Sequence, residues 1–288
     1  MNFTLRQVSY LVAVAEHGTL AAAAAALHVS PSAISVALDE LDRALGVQLT
    51  LRRRAHGVRL TPAGRAAATR GRRLLRDAGE LATSVGGSGE VAGVVSVGCY
   101  PTLAPAVVAP WIAALRERHP RTRVEFVEDD QDRLQRRLLD GELDLAVLYD
   151  HGLSSGLDTE RIAANVPYLL VARDHPHAGV GPVDLRVVAD EPMVLLDLPP
   201  SSDHALAVCR ELGVTPRIEH RTRSPEMVRA LVGQGLGWSV LAQAAPDPST
   251  TVARVPLDRE PPPLPVVAAW SRAITRSPVV RAMLDARP

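Results

Sequence analysis

Helix punctuation is dense in the first 46 residues, and it limits that stretch to a few short helices. Leu5, Val8, Leu11, Val12 and Ala15 recur at helical spacing, and Gly18 ends the run. Thr19 then caps a second helix, LAAAAAALH, whose alanines admit close helix packing. His28-Val29 is a short turn. Ser30 precedes Pro31, the arrangement of an N-cap followed by proline at the first helical position. Ile34, Leu38, Leu41 and Leu45 form one buried stripe along the third helix, and Gly46 stops it. Ser32, Ser35, Val36 and Asp39 lie on its opposite face.

Two short helices, a tight turn, and a helix with small polar residues near its start make a helix-turn-helix pattern. In such a unit the second helix enters the major groove and its first turns reach base edges. Ser30, Ser32 and Ser35 are suited to phosphates or bases, and Val36 to a thymine methyl. Asp39, Glu40 and Asp42 lie further along and are expected to point away from a duplex.

After the third helix, Val47, Leu49 and Leu51 alternate, as do Val58 and Leu60, with Gly57 between. This pattern predicts a β-hairpin wing with Arg52, Arg53 and Arg54 at its tip, suited to phosphates or the minor groove. A solvated charge run is the alternative for these arginines. Thr61, at the end of the wing, joins the candidate DNA contacts. The charge balance favours DNA. Between Arg43 and Arg76 there are 10 arginines and no acid. Residues 1–90 carry 11 arginines against 7 acids, a balance of +4, and residues 91–288 carry 21 against 25, a balance of −4. A basic front suggests a polyanionic partner. The chain has no lysine, so every cationic contact is a guanidinium fork.

From Leu5 to Gly64 the sequence resembles the winged helix-turn-helix of LysR-type transcriptional regulators. The resemblance rests on Ala23, Ala24, Leu27 and Ser30, on Ala33 to Ser35, on the L-x-x-x-L-G ending at Gly46, and on the L-T-x-A-G of Leu60 to Gly64. The chain departs from the family at three places. Pro31 replaces the usual glutamine, Val36 and Ala37 replace polar or basic residues, and Thr50 replaces phenylalanine. The first two remove base-reading groups. They suggest recognition that leans on phosphates and the wing.

Pro62 opens an alanine- and arginine-rich segment with apolar residues Ala66, Ala67, Leu74, Leu75, Ala78, Leu81 and Val85. A helix of this kind needs a partner for its stripe. An ordinary surface helix is one reading; the resemblance implies a linker helix that pairs with its copy in a second subunit. Gly71 and Gly79 are expected to weaken it locally, and GGSGEVAG reads as a flexible hinge.

Beyond residue 91, strands and helices alternate: GVVSVGC, LAPAVVAPWIAALRERHP, RVEFVED, QDRLQRRLLDGE and LDLAVLYD read as βαβαβ, which predicts a mostly parallel sheet. The alternation continues through VDLRVVAD and WSVLA, as expected for two α/β lobes. The family's effector domain has this architecture, similar to periplasmic binding proteins. The expected division is a DNA-binding domain over 1–61, a linker and hinge over 62–90, and an effector domain over 91–288. Within it, one lobe takes about 91–163 and 264–288, and the other about 164–263. The fold class is therefore α/β overall, with an N-terminal winged helix-turn-helix.

Ligands of open α/β sheets bind beyond the carboxyl ends of the strands. Tyr100-Pro101-Thr102, Pro200-Ser201-Ser202 and Thr222-Arg223-Ser224 stand at strand-to-helix junctions, where free amides and the helix dipole favour an anion. They predict a small carboxylate effector, with Cys99, Tyr149, Asp150 and His151 near the same cleft. Plain N-capping is the alternative for each hydroxyl, and a solvated side chain for Arg223.

The chain has two cysteines, Cys99 and Cys209, without metal-ligand spacing. Buried thiols are expected; a redox switch would need them close and reactive. No apolar run reaches the roughly 18 to 20 residues that span a bilayer, and Arg6, Glu16, His17 and His28 interrupt the apolar start, unlike a signal peptide. A cytoplasmic protein with reduced thiols fits these features. The reading is a DNA-binding regulator governed by a small effector, not an enzyme, with no metal and no cofactor. Its expected partners are double-stranded promoter DNA, itself as a homodimer or homotetramer, and RNA polymerase, with no membrane. The alternatives are a redox-sensing regulator using Cys99 and Cys209, or an enzyme fused to a DNA-binding unit. No P-loop, nucleophile elbow or G-x-G-x-x-G supports the latter.

Overall fold

A computed structural model describes residues 2–53, 57–84, 91–243 and 251–287, with backbone alone at 52, 53, 57, 80 and 82–84. Local capping chemistry sets the N-terminal helices. Thr4 and Gln7 form a reciprocal capping box at the start of α1 (Leu5–His17), and Gly18 ends it in the left-handed conformation. Thr19 caps α2 (Leu20–Leu27), and Ser30 caps α3 (Pro31–Leu45) with Pro31 in its first turn. The axes of α2 and α3 turn by 106°, within the range of a helix-turn-helix. Their facing residues, including Leu11, Ala23, Ala24, Ile34, Leu38, Leu41 and Leu49, form one buried cluster. The alanines leave no bulk between α1 and α3, so the three helices close tightly.

The wing is an antiparallel pair of β1 (Thr50–Arg53) and β2 (Gly57–Leu60). Of the alternating residues Val47, Leu49 and Leu51, the first two ahead of β1 and the third within it, only Leu49 is buried. The chain then enters α4 (Pro62–Ser84) through a tight crossing. A Cβ on Gly64 would stand 1.9 Å from the Leu49 carbonyl oxygen, so only glycine fits there. Gly71 has a similar role: a Cβ there would lie 2.7 Å from Val8 Cγ1. The expected weak point of the helix is its closest approach to α1.

The larger part comprises β3 (Gly93–Cys99), a π-helical turn at Ala104–Val108 leading into α5 (Ala109–Arg118), β4 (Thr122–Glu128), α6 (Gln131–Leu139), β5 (Leu145–Tyr149) and β6 (Leu157–Asn165). The chain then crosses into β7 (Tyr168–Ala172), β8 (Pro192–Leu196), α7 (Ser201–Glu211), β9 (Arg217–Thr222), α8 (Pro225–Gly233), β10 (Ser239–Leu241) and β11 (Val252–Val255). It returns as β12 (Leu264–Ser271) and α9 (Pro278–Asp285). The first lobe has one five-stranded sheet in the order β4-β3-β5-β12-β6. The second has an antiparallel sheet, β10-β7-β11, and a parallel pair, β8-β9, joined by a Met193–Trp238 bridge.

The expectation of a mostly parallel sheet needs correction. β3 runs parallel to β4 and β5, but β12 is antiparallel to both β5 and β6. A parallel neighbour requires a crossover over the sheet face. β12 instead re-enters from the other lobe and runs back along its neighbours. VDLRVVAD also forms no long element; Leu185–Val188 is a single 3-10 turn capped by Asp184. One buried cluster, around Trp111, Tyr149 and Met283, fills the first lobe and runs across the junction to Tyr168, Leu196 and Val228 of the second; another, around Trp238, Val208 and Cys209, lies within the second lobe.

Candidate DNA-contacting face and interlobe cleft

The exposed start of α3 carries the candidate base-reading side chains. Pro31 and Ser32 are exposed, Val36 retains 56% of its surface, and Ser35 is half-buried. Ser30 is committed to the helix: its Oγ accepts from the Ala33 amide at 3.1 Å and lies 2.9 Å from Ser32 Oγ. Pro31 contributes no amide, so this edge offers fewer donors than its three hydroxyls suggest. Glu40 and Asp42 make internal hydrogen bonds. Glu40 accepts from Gln7 Nε2 at 2.8 Å and holds α3 to α1, while Asp42 accepts from the Leu49 amide at 3.0 Å. Asp39 remains exposed one turn beyond Val36.

Arg52 and Arg53 end strand β1, next to the helix-turn-helix. Their side chains, and all of Arg54, lie outside the described residues, as does the expected hinge over 85–90. Thr61, also a candidate DNA contact, is half-buried, and its hydroxyl is engaged within the domain. Its hydroxyl donates to the Gln48 carbonyl at 2.7 Å and accepts from the Gly64 amide at 2.9 Å. The reason is local: the first turn of α4 needs a cap, and Thr61 supplies it.

Behind this face, α1, the end of α3 and α4 enclose an apolar groove of about 420 Å³, walled by Val8, Leu41, Leu45, Val47, Ala67 and Leu74 among others. Leu45, Val47 and Leu74 are exposed there.

The second candidate site is the cleft between the lobes, which is closed by direct contacts. Tyr100 Oη donates to the Leu198 carbonyl at 2.6 Å and lies 3.0 Å from Ser201 Oγ. Tyr149 Oη donates to the Ala242 carbonyl at 2.8 Å and is 2.8 Å from Thr102 Oγ1. Asn165 Nδ2 donates to the same carbonyl at 3.2 Å. The two tyrosine rings meet edge to face at 5.2 Å. Burial pushes both phenols up, Tyr149 to about 12, so both stay protonated donors at neutral pH.

A small cavity of about 10 Å³ remains, walled by Thr102, Leu196, Ser201, His204, Gln243 and Leu264 among others. That is room for about one water. His204 Nε2 and Gln243 Nε2 are buried there without a hydrogen-bond partner. Burial, and then the nearby His151 charge, depress the His204 pKa. Helix α7 begins beside the cavity, just after the cis Pro199–Pro200 peptide, and no side chain caps its first turn.

The structure places the sequence-derived cleft residues unevenly. Tyr100, Thr102, Tyr149 and Ser201 meet at the lobe junction, Pro101 sits half-buried between Tyr100 and Thr102, and Ser202 is buried in the first turn of α7. Four others do not join them. Cys99 points into the core of the first lobe, where its thiol donates to the Tyr100 carbonyl at 3.2 Å. Asp150 is exposed just past the end of β5. Ser224 accepts from the Met227 amide and so serves as the N-cap of α8. Arg223 Nη2 lies 3.4 Å from Asp130 Oδ2, an ion pair across the cleft mouth, and Arg223 does not line the cavity. Sequence reasoning missed Asn165, His204 and Gln243. Asn165 ends β6 and Gln243 follows β10, so the rule that sites form beyond strand ends would have flagged both.

The thiols occupy separate lobes. Cys99 belongs to the buried cluster of the first and Cys209 to that of the second. Burial raises both pKa values, Cys209 to about 12, which is the reverse of an activated cysteine. Among the described residues there is no group of histidine, cysteine and acidic side chains arranged for a metal. No single described helix is long and apolar enough to cross a membrane.

Comparison with known proteins agrees with this architecture. Residues 5–65 match the family described as bacterial regulatory helix-turn-helix protein, lysR family, and residues 88–286 match the LysR substrate binding domain. The nitrogen assimilation regulatory protein nac of Klebsiella aerogenes is 30% identical over 247 residues, 84% of this chain and 79% of that protein. The crystal structure of HinK, a LysR family transcriptional regulator from Pseudomonas aeruginosa, superposes with a TM-score of 0.65 at 34% identity, covering 99% of this chain and 97% of that one. The C-terminal domain of a probable LysR family regulator from Rhodococcus sp. RHA1 gives 0.64 at 43% identity, covering 68% of this chain and 98% of the domain. Matches to the curated relatives span from 53% to 80% of their length, with 62% for the HTH-type transcriptional regulator TtuA of Agrobacterium vitis. With both halves matched in order along nearly the whole chain, the protein belongs to the LysR family of DNA-binding transcriptional regulators.

Proposed function

We propose that the protein is a cytoplasmic one-component regulator. It holds promoter DNA with the start of α3 and the wing, and it pairs with a second copy through the groove beside α4. A small carboxylate between the lobes sets its activity. The uncapped start of α7 carries the effector reading: it abuts a cavity lined by Ser201 and Thr102, where the buried nitrogens His204 Nε2 and Gln243 Nε2 lack partners. The helix dipole and the hydroxyls favour an anion there, and a carboxylate accepts several hydrogen bonds at once. The ligand has to part the lobes to enter, since the closed cavity holds about one water. Binding would therefore change the lobe angle, which is the change a regulator needs.

Thermal-shift screening with small carboxylates tests this site. A ligand should raise the melting temperature of the wild type, and Thr102→Ala and Ser201→Ala should lose most of that shift. Equal stabilisation of wild type and both variants would place the ligand elsewhere.

A further inference from the structure

Two arginines of α4 grip the effector domain of their own chain. Arg72 is the one arginine among the described residues that is almost fully buried, with 8% of its surface exposed. Its guanidinium is divided between the two halves of the protein. Nε lies 3.3 Å from Glu16 Oε1 on α1, Nη2 lies 3.4 Å from Glu142 Oε1, and Nη1 donates to the Asp140 carbonyl at 3.3 Å. Arg76, one turn on and on the same helix face, continues the contact. Its Nη1 donates to the Gly141 carbonyl at 3.0 Å, and its Nε lies 3.1 Å from Asp144 Oδ1. The turn between α6 and β5 is thus held at Asp140, Gly141, Glu142 and Asp144. Its fit is close, since a Cβ on Gly141 would come within 3.4 Å of the Thr69 carbonyl oxygen on α4.

We propose that Arg72 and Arg76 form a clamp that locks the effector domain onto its own DNA-binding arm, and so fixes the direction in which that arm presents α3. The chemistry suits a latch better than a permanent seam. Glu16, Glu142 and Asp144 face these two guanidinium groups, and Arg137 Nε, 3.2 Å from Glu142 Oε2, brings the cluster to three charges of each sign. Arg76 and Asp144 become uncompensated, partly desolvated charges if one side is removed. Such a contact is either made in full or better released to water. It also lies on a direct line from the cleft: β5 begins right after Asp144 and ends at Tyr149, whose hydroxyl joins the lobes. The same turn ends α6, whose Gln131 accepts from the Tyr149 amide at 3.1 Å. The first lobe cannot shift at Tyr149 without loading the clamp. Its regulatory meaning rests on the cleft as effector site; its existence does not.

The test uses the full chain without DNA or ligand, so its failure is separable from that of the cleft. All three tryptophans, Trp111, Trp238 and Trp270, lie in the effector half, so tryptophan fluorescence follows that half alone while far-UV circular dichroism follows both. In the wild type the two melts should coincide, and small-angle scattering should give one compact form. Arg72→Gln with Arg76→Gln should raise the radius of gyration at unchanged oligomer mass and split the dichroism melt into two steps, the later one matching the fluorescence. Glu142→Gln with Asp144→Asn, which opens the clamp from the other side, should do the same, and all four substitutions together should add nothing further. Unchanged radius and coincident melts in both double variants would overturn the clamp. So would a four-fold variant whose changes are the sum of the two. If one double variant fails to fold, as its fluorescence at low temperature would reveal, the other decides.

Discussion

Tyr149→Phe isolates one strut between the lobes. The ring is fully buried and stays in place, so the substitution removes one oxygen and little packing. That oxygen donates to the Ala242 carbonyl at 2.8 Å and pairs with Thr102 Oγ1 at 2.8 Å. The Ala242 carbonyl keeps a donor, Asn165 Nδ2 at 3.2 Å, whereas the Thr102 hydroxyl is left buried without its tyrosine partner. The loss should therefore sit in the lower part of the range for a buried unsatisfied group, about 1 to 2 kcal/mol. For a domain of this size that lowers Tm by about 2 to 8 °C. The assay is a melt of the full chain followed by tryptophan fluorescence. Hydrogen exchange should become faster at β10, which Ala242 directly follows, with little change in α1 to α3. An unchanged Tm and unchanged exchange at β10 would show that the lobes are not held by this hydroxyl, and the closed cleft would need another explanation.

Three further outcomes follow from the same geometry. Gly64→Ala drives a methyl group into the Leu49 carbonyl; it should cost about 3 kcal/mol or more and melt the DNA-binding domain at lower temperature while the fluorescence melt stays put. His204 has a depressed pKa in the folded state, so the unfolded chain binds its proton more readily. The stability it contributes is present above its unfolded pKa of about 6.5 and is lost as pH falls through the lower folded value; His204→Asn should flatten that fall in a series of melts from pH 7.5 to 5, and an identical pH dependence would refute it. Cys99 and Cys209 are buried with raised pKa values, so an aromatic disulfide reagent should modify them only at the rate of unfolding, and rapid labelling of the native protein would reopen the redox reading.

The helix boundaries at the front were legible because capping is local. Thr19, Ser30, Pro31 and Gly46 each act within a few residues, and each does in the structure what its position suggested. Capping also misled. Thr61 and Ser224 read as site residues, but the nearby helices α4 and α8 claim their hydroxyls. The direction of β12 was not legible, because its antiparallel pairing depends on where the chain re-enters the first lobe. Nor was the clamp, whose partners stand 65 and 68 residues apart for the carbonyl contacts. In the sequence Arg72 and Arg76 are two of the ten arginines between Arg43 and Arg76, which suggest a polyanionic partner; only the fold shows which arginines turn inward. His204 was hidden for a similar reason: nothing near it in sequence marks it, and its unmet hydrogen bond exists only once the lobes meet.

The central claim is that this chain reads DNA through α3 and the wing. Footprinting on the promoter beside its own gene, at moderate salt and with excess competitor duplex, tests that claim most directly. The account predicts a protected stretch longer than one half-site that survives competitor and weakens steeply as salt rises, since arginine–phosphate contacts carry much of the affinity. Protection that disappears with competitor at every salt concentration would contradict it.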